Sequence, residues 1–166
     1  ADLDELAKTN VTVICAGPKA ILDLNLTMEY LETKGVPVIG YNTDKLPAFF
    51  TRTSDINVDF NAKTPLDVAK IVKEKRDYKL DGGVLVCDPI PEQYSLAPEY
   101  INKEIDKALL EMEKLGVKGK DETPFLLAKI VELTGGKSLE TNIHLILNNA
   151  ELGAKIASEY AKLRNK

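Results

Sequence analysis

The sequence predicts an α/β protein, a layered α/β/α arrangement with a mostly buried sheet, mixed or parallel, and a helical C-terminal portion. Short apolar, β-branched runs at 11–16, 36–41 and 82–87 are typical of strands that are covered on both faces. Stretches with helical apolar spacing separate these runs, and from residue 98 onward only the helical period remains. The length of 166 residues fits one domain spanning 1–166.

The first strand, Val11–Ala16, follows a short helix at the start of the chain and ends in a turn that presents one lysine. Gly17 lets the backbone turn where a Cβ would clash, and Pro18 fixes φ on the way out. Lys19 then lies just past the carboxyl end of a strand, where open α/β sheets bind their ligands. By position alone it could be a surface cation, which is the ordinary case, a phosphate partner or an amine nucleophile.

The next segments complete a βαβ unit and lead into an irregular stretch. Helical spacing over Ala20–Lys34 predicts a helix with Thr27 as an internal restart cap and Gly35 after its end. Val36–Tyr41 predicts a second strand, and its early proline favours a first-residue or edge position. Val58–Phe60 is consistent with a short third strand.

A clear helix start and a further strand follow. Thr64 as N-cap, Pro65 in the first turn and Asp67 as the third-position acid together predict where the helix begins. The run at 82–87 predicts a buried strand, and Asp88 follows it. Because both strands end at the same edge of the sheet, the Asp88 loop is expected near Lys19.

Three helices close the chain. Pro98–Leu115 is amphipathic and ends at Gly116, whereas the helix that Thr123 is expected to cap has little polar face and should be deeply buried. Ser138 is expected to cap the last helix. Its predicted buried stripe becomes alanine-rich, which permits close packing on another helix or subunit; the stripe comprises Leu139, Ile143, Ile146, Leu147, Ala150, Ala154, Ala157 and Ala161.

Composition narrows the classes of partner. A formal net charge of -4 argues against nucleic acid and anionic membranes, which favour a basic face. No apolar run approaches the roughly 18 residues of a membrane span, and the first residues do not resemble a signal peptide. Cys15 and Cys87 are interpreted as buried thiols of a cytoplasmic protein, with a disulfide left open. The single histidine makes a zinc site within this chain improbable.

No Walker loop, GxGxxG, GxSxG or HExxH motif is present, so motifs alone assign no reaction. The remaining polar candidates each have an ordinary structural explanation, as capping, packed or solvated side chains. A ligand contact is conceivable at Asn142, early in the last helix, and equally at the mid-helix pair Asn148 and Asn149. Asp23 and Asp88 could contact a cation or a ribose hydroxyl, although capping explains them as well, and His144 is interpreted as a packed or surface histidine.

Several stretches, in order along essentially the whole chain, resemble the pseudouridine-5′-phosphate glycosidases of the indigoidine-synthase-A-like family. The matching stretches are Ala1–Leu3, Val13–Asp23, Glu29–Thr33, Gly35–Tyr41, Pro47–Phe50, Cys87–Gln93, Gly119–Lys120, Thr123–Ala128, Leu133–Gly136 and Asn148–Ala150. The resemblance implies cleavage of pseudouridine 5′-phosphate to uracil and ribose 5-phosphate, or the reverse reaction. It also implies a Mn²⁺ ion and a homotrimer.

Residue by residue, the resemblance places the family's nucleophilic lysine on Lys19 and its late active-site asparagine on Asn142. Of its substrate-binding Ser-Ala-Asp run, only Ala1 and Asp2 are present. A lysine suits the implied reaction because a C-glycoside has no oxygen or nitrogen leaving group to protonate, so the two-carboxylate route does not suffice. An unprotonated amine can instead form an iminium at C1′ of a ring-opened ribose.

The match begins about halfway through the family. The general-acid glutamate, a second lysine, the aspartate that ligates Mn²⁺ and the phosphate-binding serine are all expected upstream of Ala1. We therefore expect that this chain needs a missing N-terminal half, as part of the same chain or as a partner chain, to be active. The alternatives are a non-catalytic part that carries fold and oligomer contacts, and a C-glycosynthase that uses another acceptor.

Overall fold

A computed structural model describes residues 2–19, 21 and 23–164 and shows a parallel sheet between helices. The strands are β1 (Thr12–Cys15), β2 (Val38–Tyr41), β3 (Phe60–Ala62) and β4 (Val84–Cys87). The helices are α1 (Asp2–Lys8), α2 (Leu24–Thr33), α3 (Pro65–Asp77), α4 (Pro98–Leu115), α5 (Glu122–Leu133) and α6 (Lys137–Arg164). Among the described residues, no helix combines the length and apolar character that crossing a membrane requires.

The strand order is β1-β4-β2-β3, and every pair is parallel. One face of the sheet packs against α1 and α2 through Leu6 and Leu31, and the other packs against α3 and α6 through Val68 and Leu152. The helices α4 and α5 form a separate apolar cluster around Phe50. The α/β/α layers, the parallel sheet and the helical C-terminal portion are therefore confirmed.

The position of the first strand differs from the prediction. β1 is an edge strand, and all four of its residues are half-buried, whereas the four residues of β4 are buried. An apolar run shows that a strand is to be covered, but not which segment covers it. The early proline does not make β2 an edge strand. β2 is internal to the sheet, and Pro37 lies just before its first residue, where its carbonyl oxygen accepts a hydrogen bond from Leu85 N–H at 3.0 Å.

Local capping chemistry explains where the helices begin. Thr64 and Asp67 form the predicted capping box of α3, and Gly116 ends α4 in the left-handed conformation. The predicted start of α2 is wrong, because the Asp23 carboxylate accepts a hydrogen bond from Leu26 N–H at 3.0 Å and begins the helix there. Residues 20 and 22 of that prediction lie outside the described residues.

Two further predicted caps are wrong. A short 3-10 turn at Gly119–Asp121 precedes α5, so the helix already begins at Glu122, before Thr123. Helix α6 begins at Lys137, and the hydroxyl of Thr134 accepts the hydrogen bond from Ser138 N–H at 3.1 Å. The deep burial expected of α5 is also wrong in extent, because only Leu126 and Ile130 of that helix are buried.

The predicted apolar stripe of α6 faces outward instead of into the core. We call it the outer stripe; Leu139, Ile143, Ile146 and Leu147 in it are 48–59% exposed. A second set of side chains, Ser138, Thr141, Leu145, Leu152 and Ile156, forms the buried face of the helix. Helix α6 therefore has two faces that exclude charged residues, and the described residues cover one of them.

Candidate active site

The turn after β1 has the geometry that the sequence predicted. Gly17 has φ +85°, and a Cβ at this position would lie 1.8 Å from the carbonyl oxygen of Pro47. Phe49 N–H donates a hydrogen bond to Ala16 O at 2.9 Å, so a loop from another part of the chain braces this turn. Only glycine fits this close approach, and the turn holds the backbone of Lys19 at the carboxyl end of β1.

Lys19 lines a cleft of about 630 Å³ that runs between the edge strand, α1, α2 and α6. Asp2 lines it from the first turn of α1, and Asn142 lines it from the second turn of α6. The structure thus brings together three of the four site residues implied by the resemblance. Ala1 lies outside the described residues.

A larger depression, of about 860 Å³, lies at the opposite end of the sheet between α2 and α3. It includes Val36 and Pro37, which precede a strand, and none of the predicted site residues. Because ligands of open α/β sheets bind outside the carboxyl ends of the strands, we assign the site to the cleft at Lys19.

Asp88 lies beside the cleft at the end of the neighbouring strand, as expected. It is 6% exposed, and its carboxylate accepts a hydrogen bond from the Asn148 side-chain amide at 2.7 Å. Burial raises the pKa of Asp88 to about 6, while Arg52 and Lys155 act in the opposite direction. Asn148 therefore links α6 to the residue that follows β4 by a hydrogen bond and is not a solvated amide.

The two cysteines are direct neighbours across β1 and β4, and both are free thiols. Cys15 lines the cleft, whereas Cys87 is fully buried beneath it. The neighbouring Cys87 thiol lowers the pKa of Cys15, and the same neighbour together with burial raises the pKa of Cys87.

Asn149 is a cleft residue for which the sequence analysis favoured an ordinary structural role. Its side chain lines the cleft, and its Oδ1 atom is buried without a hydrogen-bond partner. The sequence carries a weak signal, the consecutive pair Asn148–Asn149 in mid-helix, but which of the two faces a ligand depends on the rotation of α6. His144, in contrast, stacks on Tyr94 with ring centroids 3.4 Å apart, as expected for a packed histidine.

The described residues contain no group of three or more histidine, cysteine, aspartate or glutamate side chains that could hold a metal ion. The donor set that this part of the chain supplies therefore does not fit the Mn²⁺ ion implied by the resemblance. No chemical step is assigned to a metal here.

Comparison with known proteins gives one consistent family. The pseudouridine-5′-phosphate glycosidase of Petrotoga mobilis is 61% identical over 160 residues, which cover 96% of this chain and 52% of that protein. The same enzyme of Glaesserella parasuis is 58% identical over 162 residues, covering 98% of this chain and 54% of that protein. The chain therefore spans about half the length of these relatives.

A solved structure agrees with them. The prealnumycin C-glycosynthase in complex with ribulose 5-phosphate matches with a TM-score of 0.90 at 32% identity, covering 99% of this chain and 54% of that one. The family model described as "Indigoidine synthase A like protein" matches residues 1–159. The chain therefore belongs to the indigoidine synthase A like family.

Proposed function

We propose that this chain is part of an enzyme that cleaves, or forms, the C–C glycosidic bond between uracil and ribose 5-phosphate. One observation carries the proposal: Lys19, Asp2 and Asn142 line a single cleft at the carboxyl end of β1. The names of relatives that are 58–61% identical support the same substrate, pseudouridine 5′-phosphate. The sugar phosphate named for the solved C-glycosynthase supports a pentose phosphate ligand.

In the proposed mechanism, the neutral Lys19 amine attacks C1′ of the ribose as the bond from C1′ to the ring oxygen breaks, and the proton that the nitrogen loses is taken up by the ring oxygen, which becomes a hydroxyl group. A general acid then protonates C5 of uracil. The C–C bond between C1′ and C5 breaks, its electron pair returns to the uracil ring, and the lone pair of the amine nitrogen forms the C=N bond of an iminium. Water adds to the iminium and releases ribose 5-phosphate and the free lysine. The overall reaction consumes one water molecule for each pseudouridine 5′-phosphate molecule that is cleaved.

This chain supplies the nucleophile but, within the cleft, few other charged groups. Among the charged side chains, only Asp2 and Lys19 line the described part of the cleft. We propose that a further segment, corresponding to the unmatched half of the relatives, supplies the general acid, the phosphate contacts and the ligands of a Mn²⁺ ion. The edge strand β1 and the outer stripe of α6 are the apolar surfaces that such a segment would cover. Trimeric assembly and cytoplasmic localisation belong to the same proposal.

A C-glycosynthase acting on another acceptor is the second candidate function. The solved glycosynthase favours it, because that structure superimposes on nearly the whole chain. The identities of 58–61% to the glycosidases, against 32% to the glycosynthase, support the uracil reaction over this second candidate.

Reductive trapping tests the lysine directly. The chain, bound to the unmatched half of the Petrotoga mobilis relative, is incubated with ribose 5-phosphate and cyanoborohydride, which reduces an imine to a stable amine, and the modified lysines of this chain are mapped by peptide mass spectrometry. We expect Lys19 to be modified well before Lys8, an exposed lysine at the end of α1, and Lys19→Arg to abolish this preference. Equal modification of the two lysines would overturn the assignment of Lys19.

Co-expression with the unmatched half of the Petrotoga mobilis relative tests the overall reaction. Release of uracil from pseudouridine 5′-phosphate by the complex, and its loss in Lys19→Ala, is the expected result. A complex that assembles and yet releases no uracil would favour the glycosynthase or the non-catalytic alternative. Chelation by EDTA then shows whether the activity depends on a metal ion.

A further inference from the structure

Two buried side-chain oxygens of the described residues have no hydrogen-bond partner, Asn61 Oδ1 and Asn149 Oδ1, and only the second belongs to a residue that lines the cleft. Leaving a buried amide oxygen unpaired costs about 1–3 kcal/mol, so native structures contain few such groups. The adjacent Asn148 shows the usual arrangement, because its amide group is hydrogen-bonded to Asp88. The unpaired oxygen of Asn149 therefore calls for a donor that this chain does not provide.

The position of Asn149 on α6 indicates which part of the cleft needs that donor. Asn142 and Asn149 lie seven residues apart on the same side of α6, or about 10 Å along the helix axis. Gly153 lies against the Ile14 side chain, and Leu145 packs with Ala16, so Asn149, between them, lies level with the end of β1. This is the part of the cleft next to the turn that carries Lys19.

We propose that Asn149 is a further ligand-binding residue of the cleft, and that its carboxamide oxygen accepts a hydrogen bond from a hydroxyl group of the pentose phosphate held at Lys19. The inference rests on the proposed function, since it takes its ligand from it. A pentose phosphate fits the requirement because, once a lysine holds its first carbon, its remaining hydroxyl groups are donors that lie within a few ångströms of that lysine. Asn142, farther out along α6, is then left for the part of the substrate beyond the sugar.

The test compares Asn149→Leu with the wild-type chain in the reductive trapping experiment. Leucine matches asparagine in size but removes the unpaired oxygen, so the free energy of unfolding should stay the same or rise. The ribose 5-phosphate concentration that half-saturates trapping at Lys19 should rise about five- to tenfold, as expected for one lost hydrogen bond. The control is Asn102→Leu, the same change at an exposed position of α4, which should alter neither quantity.

The pH profile of trapping separates binding of the sugar from an action through the lysine. If Asn149 contacts the sugar, the half-saturating concentration rises while the pH profile of trapping at Lys19 stays unchanged. A shifted pH profile would instead make Asn149 a partner of the Lys19 ammonium group and overturn the sugar contact. Should the leucine variant fail to fold, Asn149→Ala replaces it in the same measurements.

The outcomes also separate this inference from the proposed function. If the wild-type chain shows no preference for Lys19 over the exposed lysines, the proposed function fails, and the inference fails with it. If the wild-type chain shows the preference, and the ribose 5-phosphate concentration that half-saturates trapping is the same in the Asn149 variants, only the role of Asn149 is overturned.

Discussion

Replacing Asp88 by asparagine should stabilise the protein at neutral pH and not at acid pH. Asp88 is buried at the end of β4, and its carboxylate accepts a hydrogen bond from Asn148 at 2.7 Å. Burial outweighs the nearby cations Arg52 and Lys155 and raises its pKa from 3.8 to about 6. An asparagine side chain keeps an acceptor oxygen for the Asn148 amide but carries no charge to desolvate.

The sign and size of the effect follow from proton linkage. Between about pH 4 and pH 6 the folded chain binds more protons at Asp88 than the unfolded chain, so the free energy of unfolding falls as the pH rises through this range. A shift of about two pKa units corresponds to about 3 kcal/mol. We therefore expect about 2 to 3 kcal/mol at pH 7 and almost nothing below pH 4.

Urea unfolding followed by circular dichroism at pH 4, 5, 6 and 7 measures this difference. The control is Asp106→Asn on the exposed face of α4, which should change the free energy of unfolding by less than about 0.5 kcal/mol at each pH. A difference in the free energy of unfolding between Asp88→Asn and wild type that stays constant from pH 4 to pH 7 would refute this explanation, because the titration of Asp88 would then not cause the difference.

Two other predictions concern the turn and the thiols at the cleft. Gly17→Ala should lower the free energy of unfolding, measured in urea, by more than about 2 kcal/mol, because the added Cβ would overlap a backbone carbonyl group. The control is Gly35→Ala, which has a positive φ but open space around it and should lower the free energy of unfolding by only about 1 kcal/mol. Equal losses in the two variants would show that the overlap at Gly17 does not determine the stability. Under native conditions, a maleimide should label Cys15, whose pKa is lowered by the neighbouring thiol, and leave the buried Cys87 unmodified by peptide mapping. Ribose 5-phosphate should slow labelling of Cys15, and no protection would place the sugar outside this cleft.

Features that depend on neighbouring residues in the sequence could be predicted with good accuracy. The capping box at Thr64, the helix Pro98–Leu115 with its terminal glycine, and the Gly17 turn are all set by local backbone chemistry. The start of α2 failed for a local reason too, since a capping aspartate outweighed apolar spacing that continued in front of it.

Features that depend on what lies opposite a residue could not be predicted. Helix α6 has two uncharged faces, and the helical period cannot indicate which of them meets the sheet. The choice of the outer stripe therefore placed exposed residues in the core. The same ambiguity left the separate roles of Asn148 and Asn149 open, because only the observed rotation of α6 places Asn148 against Asp88 and Asn149 in the lining of the cleft.

The hydrogen bond between Phe49 N–H and the Ala16 carbonyl group couples the turn at Lys19 to α4 and α5, two helices that do not line the cleft. Phe49 N–H is bonded to the carbonyl group just before Gly17, and the next residue, Phe50, is buried among α4 and α5. Local opening of that helix pair would pull Phe50 out of its cluster, break this hydrogen bond and free the turn at Lys19. The hydrogen-exchange rate of a single amide, Phe49 N–H, therefore reports how often the lysine loses its orientation in the native protein.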